Sequence, residues 1–464
     1  MSYKLGFATH EVETEATSLA ITGAVPQWID GSLIRTGPAK FNVGDEQFRH
    51  WFDGLAMLFR FNFASGAVSY TSRFLQSDAF AEASRTNHIA SHEFGTNPRE
   101  SFMQRLASIL DYSATDNGNV NVTCVGPSFL ALTETPRPVE FSPATLKTAG
   151  PFRFEDQLAG QTTTAHPHFT DGVHYNLLTH MGASSKYQLY ALDHGSRKRR
   201  LIATANTAKP SYIHSFAVSE RHLTLLLAPL LVNPLELIAS GKPYIENYHW
   251  HKDIPMRLLV FDKNGSGLQY TFECESGFVF HTVNAFDTST GIVLDVLMYE
   301  DASIVSALYL AHLRSEGTIP GAKLTRLELN FNSKKATREQ LASGDMELPG
   351  INYSAFNGKP YRYMFAAGNG ESGKWLDRLV KVDTHNGDTT FWHEKQCFPG
   401  EPVFVAAPDA KREDEGALLS VVLDATKQTS FLLVLDCKSM QEMARCHVPS
   451  VIGFNFHGQF FTGV

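Results

Sequence analysis

Leu258-Leu-Val-Phe-Asp-Lys-Asn-Gly265 is a short apolar strand that runs into a turn. Asp262 can fold its carboxylate back onto the backbone, and Asn264 and Gly265 tolerate the positive φ that a tight hairpin needs. The same pattern, an alternating apolar run closed by Asp, Asn or Ser and followed by a second strand, recurs along the chain. It is found as FRFNFASG around Asn62, VEFSPATL around Ser142, LYALDHGS around Asp193, LELNFNSK around Asn330, VKVDTHNG around Asp383 and LVLDCKSM around Asp436. Each interval between consecutive turns is long enough for a four-stranded sheet with loops of variable length. A sandwich or a pair of barrels would also contain hairpins. Seven similar units favour an all-β, seven-bladed β-propeller in which residues 1–464 form a single domain. Helix is expected only in insertions, such as Glu100 to Leu110.

The chain has 464 residues and a formal net charge of −8, with no block rich in Lys and Arg, which argues against nucleic acid as a partner. Its five cysteines (Cys124, Cys274, Cys397, Cys437 and Cys446) are far apart and form no CxxC pair. That fits a reducing compartment and speaks against a disulfide framework or a cysteine-based metal site. The N-terminal stretch lacks the apolar core of a signal peptide, and no run approaches the ~20 apolar residues that span a bilayer. A cytoplasmic location is therefore expected. Of the 33 Phe, most are expected in the core and some along an apolar cavity.

Measured from the turns, four histidines recur at one address. His166, His214, His281 and His457 follow Ser142, Asp193, Asp262 and Asp436 at closely similar offsets. If each turn is the outer hairpin of a blade, that offset reaches the innermost strand of the next blade, facing the central channel. Each lies in an apolar, strand-like run: TTTAHPHF, SYIHSFAV, FVFHTVNAF and FNFHGQFF. One histidine in such a run is usually a core residue bonded to backbone. Four at matched offsets predict a shared metal ion. An all-imidazole set suits Fe(II), Zn, Cu or Ni, and ligand type does not choose among them. Glu347 and Glu401 follow the turns at Asn330 and Asp383 at nearly the same offset and share the address. Glu134 is read as part of another apolar strand, LALTETP. A buried glutamate needs a partner. A metal-bound imidazole offers one, because its remaining ring N–H needs an acceptor. An exposed strand end or a backbone clamp is the alternative for each glutamate.

The blocks GSLIRTGPAKF (from Gly31), HWFDGLAMLFRF (His50), EFGT (Glu93), TDNGNVNV (Thr115), LTET (Leu132), TAHPHF, IHSFAV, FHTVNAF, ELPGINY, GKPYRYMF (Gly358), EPVFVAAPDA and FHGQFF, taken in order, cover nearly the whole chain. In these the sequence resembles the carotenoid cleavage oxygenases, in particular the branch with β-carotene oxygenases and the retinoid isomerohydrolase. The resemblance implies a seven-bladed propeller with ferrous iron, Fe(II), on its axis, and insertions capping the face that carries the active site. It implies His166, His214, His281 and His457 as ligands, with His168 the nearest alternative to His166. It pairs Glu134, Glu347 and Glu401 with His214, His281 and His457, leaving His166 without a carboxylate.

By the same resemblance the reaction adds O2 across one C=C of a carotenoid or apocarotenoid, at or near the central 15,15′ bond, and yields two carbonyl fragments. Non-oxidative isomerohydrolysis of a retinyl ester is the rival that uses the same iron. Family members that cleave phenolic stilbenes grip the phenol with a Tyr and a Lys, whose matching positions here are Phe94 and Thr133, which instead suit an apolar polyene. A non-catalytic, polyene-carrying propeller is disfavoured by the complete ligand set. His50, in HWFDG, is read as part of a tight turn and not as a ligand. The apolar segment Pro229–Ile238 and the helically spaced Phe102–Leu110 are candidates for reversible, peripheral membrane contact. No obligate protein partner is evident.

Overall fold

The computed structural model describes residues 3–99, 114–315 and 317–464. The helix expected over Glu100 to Leu110, and with it the Phe102–Leu110 membrane candidate, lies outside the described residues. The strands form seven antiparallel sheets around an axis, a seven-bladed β-propeller. Six blades follow one another along the chain; the innermost strands of the second to seventh begin at Asn121, Thr162, Ala217, Phe278, Met346 and Cys397. The first blade closes the ring. Its innermost strand is the C-terminal Gly458–Phe461, paired with Gly31–Lys40, followed outward by Leu55–Ala64 and Ala67–Phe74. The N-terminal stretch ties the two ends together: Thr14–Ser18 pairs with the outer edge of the first blade, and Ala20–Gly23 with the outer strand Glu442–Val448 of the seventh.

All seven sequence-predicted turns join the third and fourth strands of a blade. Four use the expected side-chain cap. Asp262 accepts from the N–H of Asn264, Asn330 from Asn332 and Ser333, Asp383 from His385 and Asp436 from Ser439. Asn62 does not: its Oδ1 accepts from Arg60 and Ser32, and the turn is made by Ser65 and Gly66 at φ 50° and 82°. Neighbouring blades pack through central strands buried on both faces. Gly291–Tyr299 and Gly416–Asp424 are buried along their full length, and each buried Leu, Ile or Val there contributes about 1.5–3 kcal/mol.

The connections between the second and third strands of the first, fourth and fifth blades are long and join over one face of the ring. His50 bridges to Tyr309, the Leu310 N–H donates to the Arg49 carbonyl, and the Tyr309 hydroxyl donates to Glu246. Together with the buried Ile304, Val305 and Leu308 they form a cap. Pro229–Ile238, the candidate for peripheral membrane contact, belongs to this cap. Leu230–Val232 pairs with Tyr248–Trp250, and that pairing turns Leu230 and Val232 into the core. Leu235, on the short helix Pro234–Ala239, is 73% exposed. Among the described residues no helix is long and apolar enough to cross a membrane. The five cysteines are free.

Candidate metal centre

Within a regular strand of a blade, successive side chains point toward one neighbouring blade and then the other, not toward the axis. A side chain aimed at the axis therefore needs a break in the ladder, and the site is built from such breaks. His166 lies in the gap between Thr162–Thr163 and His168–Thr170, His214 just before Ala217–Val218, and His457 just before Gly458–Phe461. His281 lies within Phe278–Asp287 at a register shift between Val279 and Thr282. The strand-like runs read from the sequence thus carry three of the histidines at their interruptions. Glu401 likewise falls between Cys397–Pro399 and Val403–Ala406. Glu347 lies on Met346–Gly350, where the register shifts and Leu348 adopts φ 56°. Glu134 is not in a strand: Ser128–Leu132 ends before it, because Pro136 and Pro138 cannot donate to a ladder.

The four rings converge. Nε2 of His166 and Nε2 of His214 are 3.1 Å apart, as are those of His281 and His457, and one nitrogen from each ring lies within 4.8 Å of the others. On the far side of three rings, Nδ1 meets a glutamate: His214 with Glu134 Oε1 at 2.6 Å, His281 with Glu347 Oε2 at 2.5 Å and His457 with Glu401 Oε1 at 2.6 Å. An ionised carboxylate only accepts, so Nδ1 carries the proton and Nε2 turns a lone pair inward. Among the described hydrogen bonds His166 has no carboxylate partner. His168 stays outside the cluster, bonded to the Tyr353 hydroxyl and the Phe216 carbonyl.

Protonation does not relieve the facing lone pairs. Burial pushes the His457 imidazole down to about 4 despite Glu401, and holds His214 below its ordinary value despite Glu134. Burial and the other three imidazoles hold His166 down as well. Two facing lone pairs 3.1 Å apart repel unless a cation sits between them. Ligand bonds of about 2.1 Å at right angles place donors about 3.0 Å apart. The cluster therefore fits one borderline divalent ion.

Sequence reading missed the residues that hold the glutamates. The Tyr212 hydroxyl donates to both oxygens of Glu134, at 2.8 and 3.0 Å. The Tyr299 hydroxyl donates to Glu347 Oε1 at 2.8 Å, and the Leu348 N–H to Oε2 at 2.8 Å. Arg35, 1% exposed, donates through Nη1 to Glu401 Oε2 at 3.1 Å and through Nη2 to the Phe456 carbonyl at 2.9 Å. Burial raises the Glu347 and Glu401 carboxyls, but His281 for the first, and His457 with Arg35 for the second, outweigh it and hold both below the ordinary value. A charge inside the apolar run Ser32–Thr36 was the one available signal for Arg35. Tyr212 had only its place two positions before His214, on the same face of an extended chain.

Metal-bound imidazoles depend on such acceptors. Glu347→Gln is expected to weaken metal binding by about 10- to 100-fold with the fold intact, read by competition with a chelator.

The centre opens into a cavity of about 750 Å³ lined by His214, His281 and His457 and by apolar side chains, among them Trp51, Phe52, Ile304 and Phe456. A second cavity, of about 550 Å³, shares Phe52 and Val120 with the first and reaches Glu134. Phe94 and Thr133 both line this second cavity. His50 is held by the turn: its Nδ1 accepts from the Phe52 N–H, its Nε2 donates to the Val305 carbonyl, and burial pushes it down to about 3.

The family model described as retinal pigment epithelial membrane protein matches residues 7–462. The chain belongs to this family of carotenoid oxygenases. Within the family it is 32% identical to a mitochondrial carotenoid-cleaving dioxygenase of Mustela putorius furo, over 98% of this chain and 95% of that one. It is 31% identical to a β,β-carotene 15,15′-dioxygenase of Rattus norvegicus, over 97% and 89%. A mutant of Synechocystis apocarotenoid oxygenase superposes with a TM-score of 0.90 at 25% identity, covering 99% of this chain and 98% of that one. The cobalt-substituted form of that oxygenase gives 0.88 with the same identity and coverage.

EFGT, one of the family blocks, carries a carboxyl to which sequence reading attached no role. Glu93 is 4% exposed and lines the second cavity. Burial pushes it up to about 8, with Asp53 and Asp116 adding and the Ser91 and Thr115 hydroxyls opposing. The folded protein thus holds this proton more tightly than the unfolded chain, whose carboxyl titrates near the ordinary 4.5. The contribution to stability is complete below that value and is lost as pH rises through about 8. Asp53, pushed up to about 6, contributes in the same sense at lower pH. Denaturant unfolding is expected to show stability falling between about pH 6 and 8, and Glu93→Gln is expected to flatten that decline.

Proposed function

We propose that this chain is an Fe(II)-dependent dioxygenase that cleaves a C=C bond of a carotenoid or apocarotenoid with O2 to give aldehyde fragments. The observation that carries the reading is the convergence of four imidazoles, three of which line an apolar cavity. His166, His214, His281 and His457 would hold the iron and leave its charge uncompensated by any directly bound anion. When bound, Fe(II) supplies the activation of O2 toward the double bond. Glu134, Glu347 and Glu401 fix the tautomer and orientation of their rings. Phe52, 6.1 Å from and stacked on His214, and Phe280, 5.1 Å from it edge-on, exclude water from the reacting face. A rigid polyene lying along the apolar wall would have its reacting bond set by how deep each end can reach.

Phe94 and Thr133 contact the substrate in this reading. Neither can pair with a phenolate, which disfavours a stilbene. Cleavage at the central 15,15′ bond is the regiochemistry favoured by the similarity to the rat 15,15′-dioxygenase. Delivery from a membrane would use reversible, peripheral contact through Pro229–Ile238, with Leu235 outermost, from the cytoplasmic side.

Iron-loaded protein is incubated with β-carotene and several apocarotenals in detergent under isotopically labelled O2, and the products are identified by chromatography and mass. Labelled aldehydes are expected. Turnover without label or without oxygen dependence would favour isomerohydrolysis, and cleavage of a stilbene with no polyene cleaved would overturn the substrate assignment.

A further inference from the structure

The two cavities at the centre differ in chemistry. The larger is walled mainly by aromatic and aliphatic side chains. The smaller, across Phe52 and Val120, presents Glu93, His92, Thr115, Thr133, Gln161 and Tyr244. A hydrocarbon end group offers such a wall no hydrogen bond in place of the water it displaces.

Glu93 is the decisive group. Both hydroxyls that reach it converge on a single oxygen: Ser91 Oγ donates to Oε1 at 2.5 Å and Thr115 Oγ1 donates to the same Oε1 at 2.7 Å. Among the described residues nothing bonds Oε2. Ionised, the side chain would carry an unpaired charge with Asp53 and Asp116 close by; the carboxyl pushed up to about 8 by burial is instead protonated at neutral pH. With Oε1 accepting two hydrogen bonds, the proton resides on Oε2, which is then a donor without an acceptor among the described residues.

We propose that Glu93 is a specificity-determining residue: its Oε2–H donates to an oxygen on the polyene terminus that occupies the smaller cavity. The substrate would be an oxygenated polyene, ending in a hydroxyl or aldehyde on that side, with its hydrocarbon remainder along the larger cavity. The inference rests on the polyene-cleavage reading above and deepens it.

The test compares two substrates of equal conjugation length, an apocarotenol and the corresponding hydrocarbon, on wild-type, Glu93→Gln and Glu93→Met enzyme loaded with iron. Wild-type enzyme is expected to prefer the apocarotenol in kcat/KM. Glu93→Met, similar in volume but unable to donate, should lower kcat/KM for the apocarotenol about tenfold, mainly through KM, and leave the hydrocarbon within about twofold. Glu93→Gln keeps an acceptor for Ser91 and Thr115 and an N–H for the cavity, so the preference should survive. If Glu93→Met does not fold, Glu93→Asp, which retracts the carboxyl from the cavity, should lose the preference in the same way. A purely structural Glu93 would slow both substrates alike, and that result, or an unchanged ratio in Glu93→Met, would overturn the proposal. Failure of wild-type enzyme to cleave any polyene would instead overturn the reading beneath it.

Discussion

His281→Ala is expected to remove bound metal and turnover together while leaving the propeller folded. Four-ligand metal sites bind with about 10–16 kcal/mol in all, so one ligand of four accounts for about 3–4 kcal/mol, or roughly 10²- to 10³-fold in affinity. The loss should fall at the high end here. His281 Nε2 is one of a pair of donors 3.1 Å apart, and its removal also leaves Glu347 buried beside an empty volume, with Tyr299 and Leu348 as its remaining partners. Metal per chain, measured by elemental analysis after dialysis, should drop from about one equivalent to near zero, and product formation should drop with it. The β signal in far-ultraviolet circular dichroism should persist, because His281 supports no ladder beyond a shifted register. Full metal content in the variant would break the four-histidine assignment.

Arg35→Met is expected to cost about 3–5 kcal/mol of stability, the range for removing one partner of a buried pair and leaving the other charged. Arg35 and Glu401 lie in the wall between the first and seventh blades, and Arg35 also bonds the Phe456 carbonyl next to His457. Without the guanidinium, burial lifts the Glu401 carboxyl and His457 loses part of its acceptor. Denaturant unfolding should show the loss, and Arg85→Ala, which opens an exposed pair with Glu82, should show no measurable change. The double variant Arg35→Met with Glu401→Gln should recover much of the stability, because no unpaired charge remains, and should still bind metal weakly. A small effect of Arg35→Met would mean that water reaches Glu401.

How much of this was legible beforehand follows from the range of each interaction. The turns at Asp262, Asn330, Asp383 and Asp436 are closed by a side chain bonding two or three positions along its own chain. A strand-turn-strand unit is therefore written in a few consecutive residues. Repeated seven times it implies the ring, and the ring converts a recurring offset from turn to histidine into four imidazoles at one address. What breaks the ladder at each histidine is also local, as Pro167 beside His166 illustrates, but it was masked by the apolar text around it. Glu134 misled for the same reason: LALTETP reads as a strand until the prolines end it.

Sequence alone determined the blade count, the shared address of the four histidines and the family, because each depends on residue types at short or regular spacing. Only the tertiary structure decided which groups hold the glutamates and how the two cavities differ. Arg35 meets Glu401 across 366 positions and Tyr212 meets Glu134 across 78. Contacts of that kind exist only after the ring has closed, and a hydrogen bond or a cavity wall acts through distance in space, which spacing along a chain does not encode.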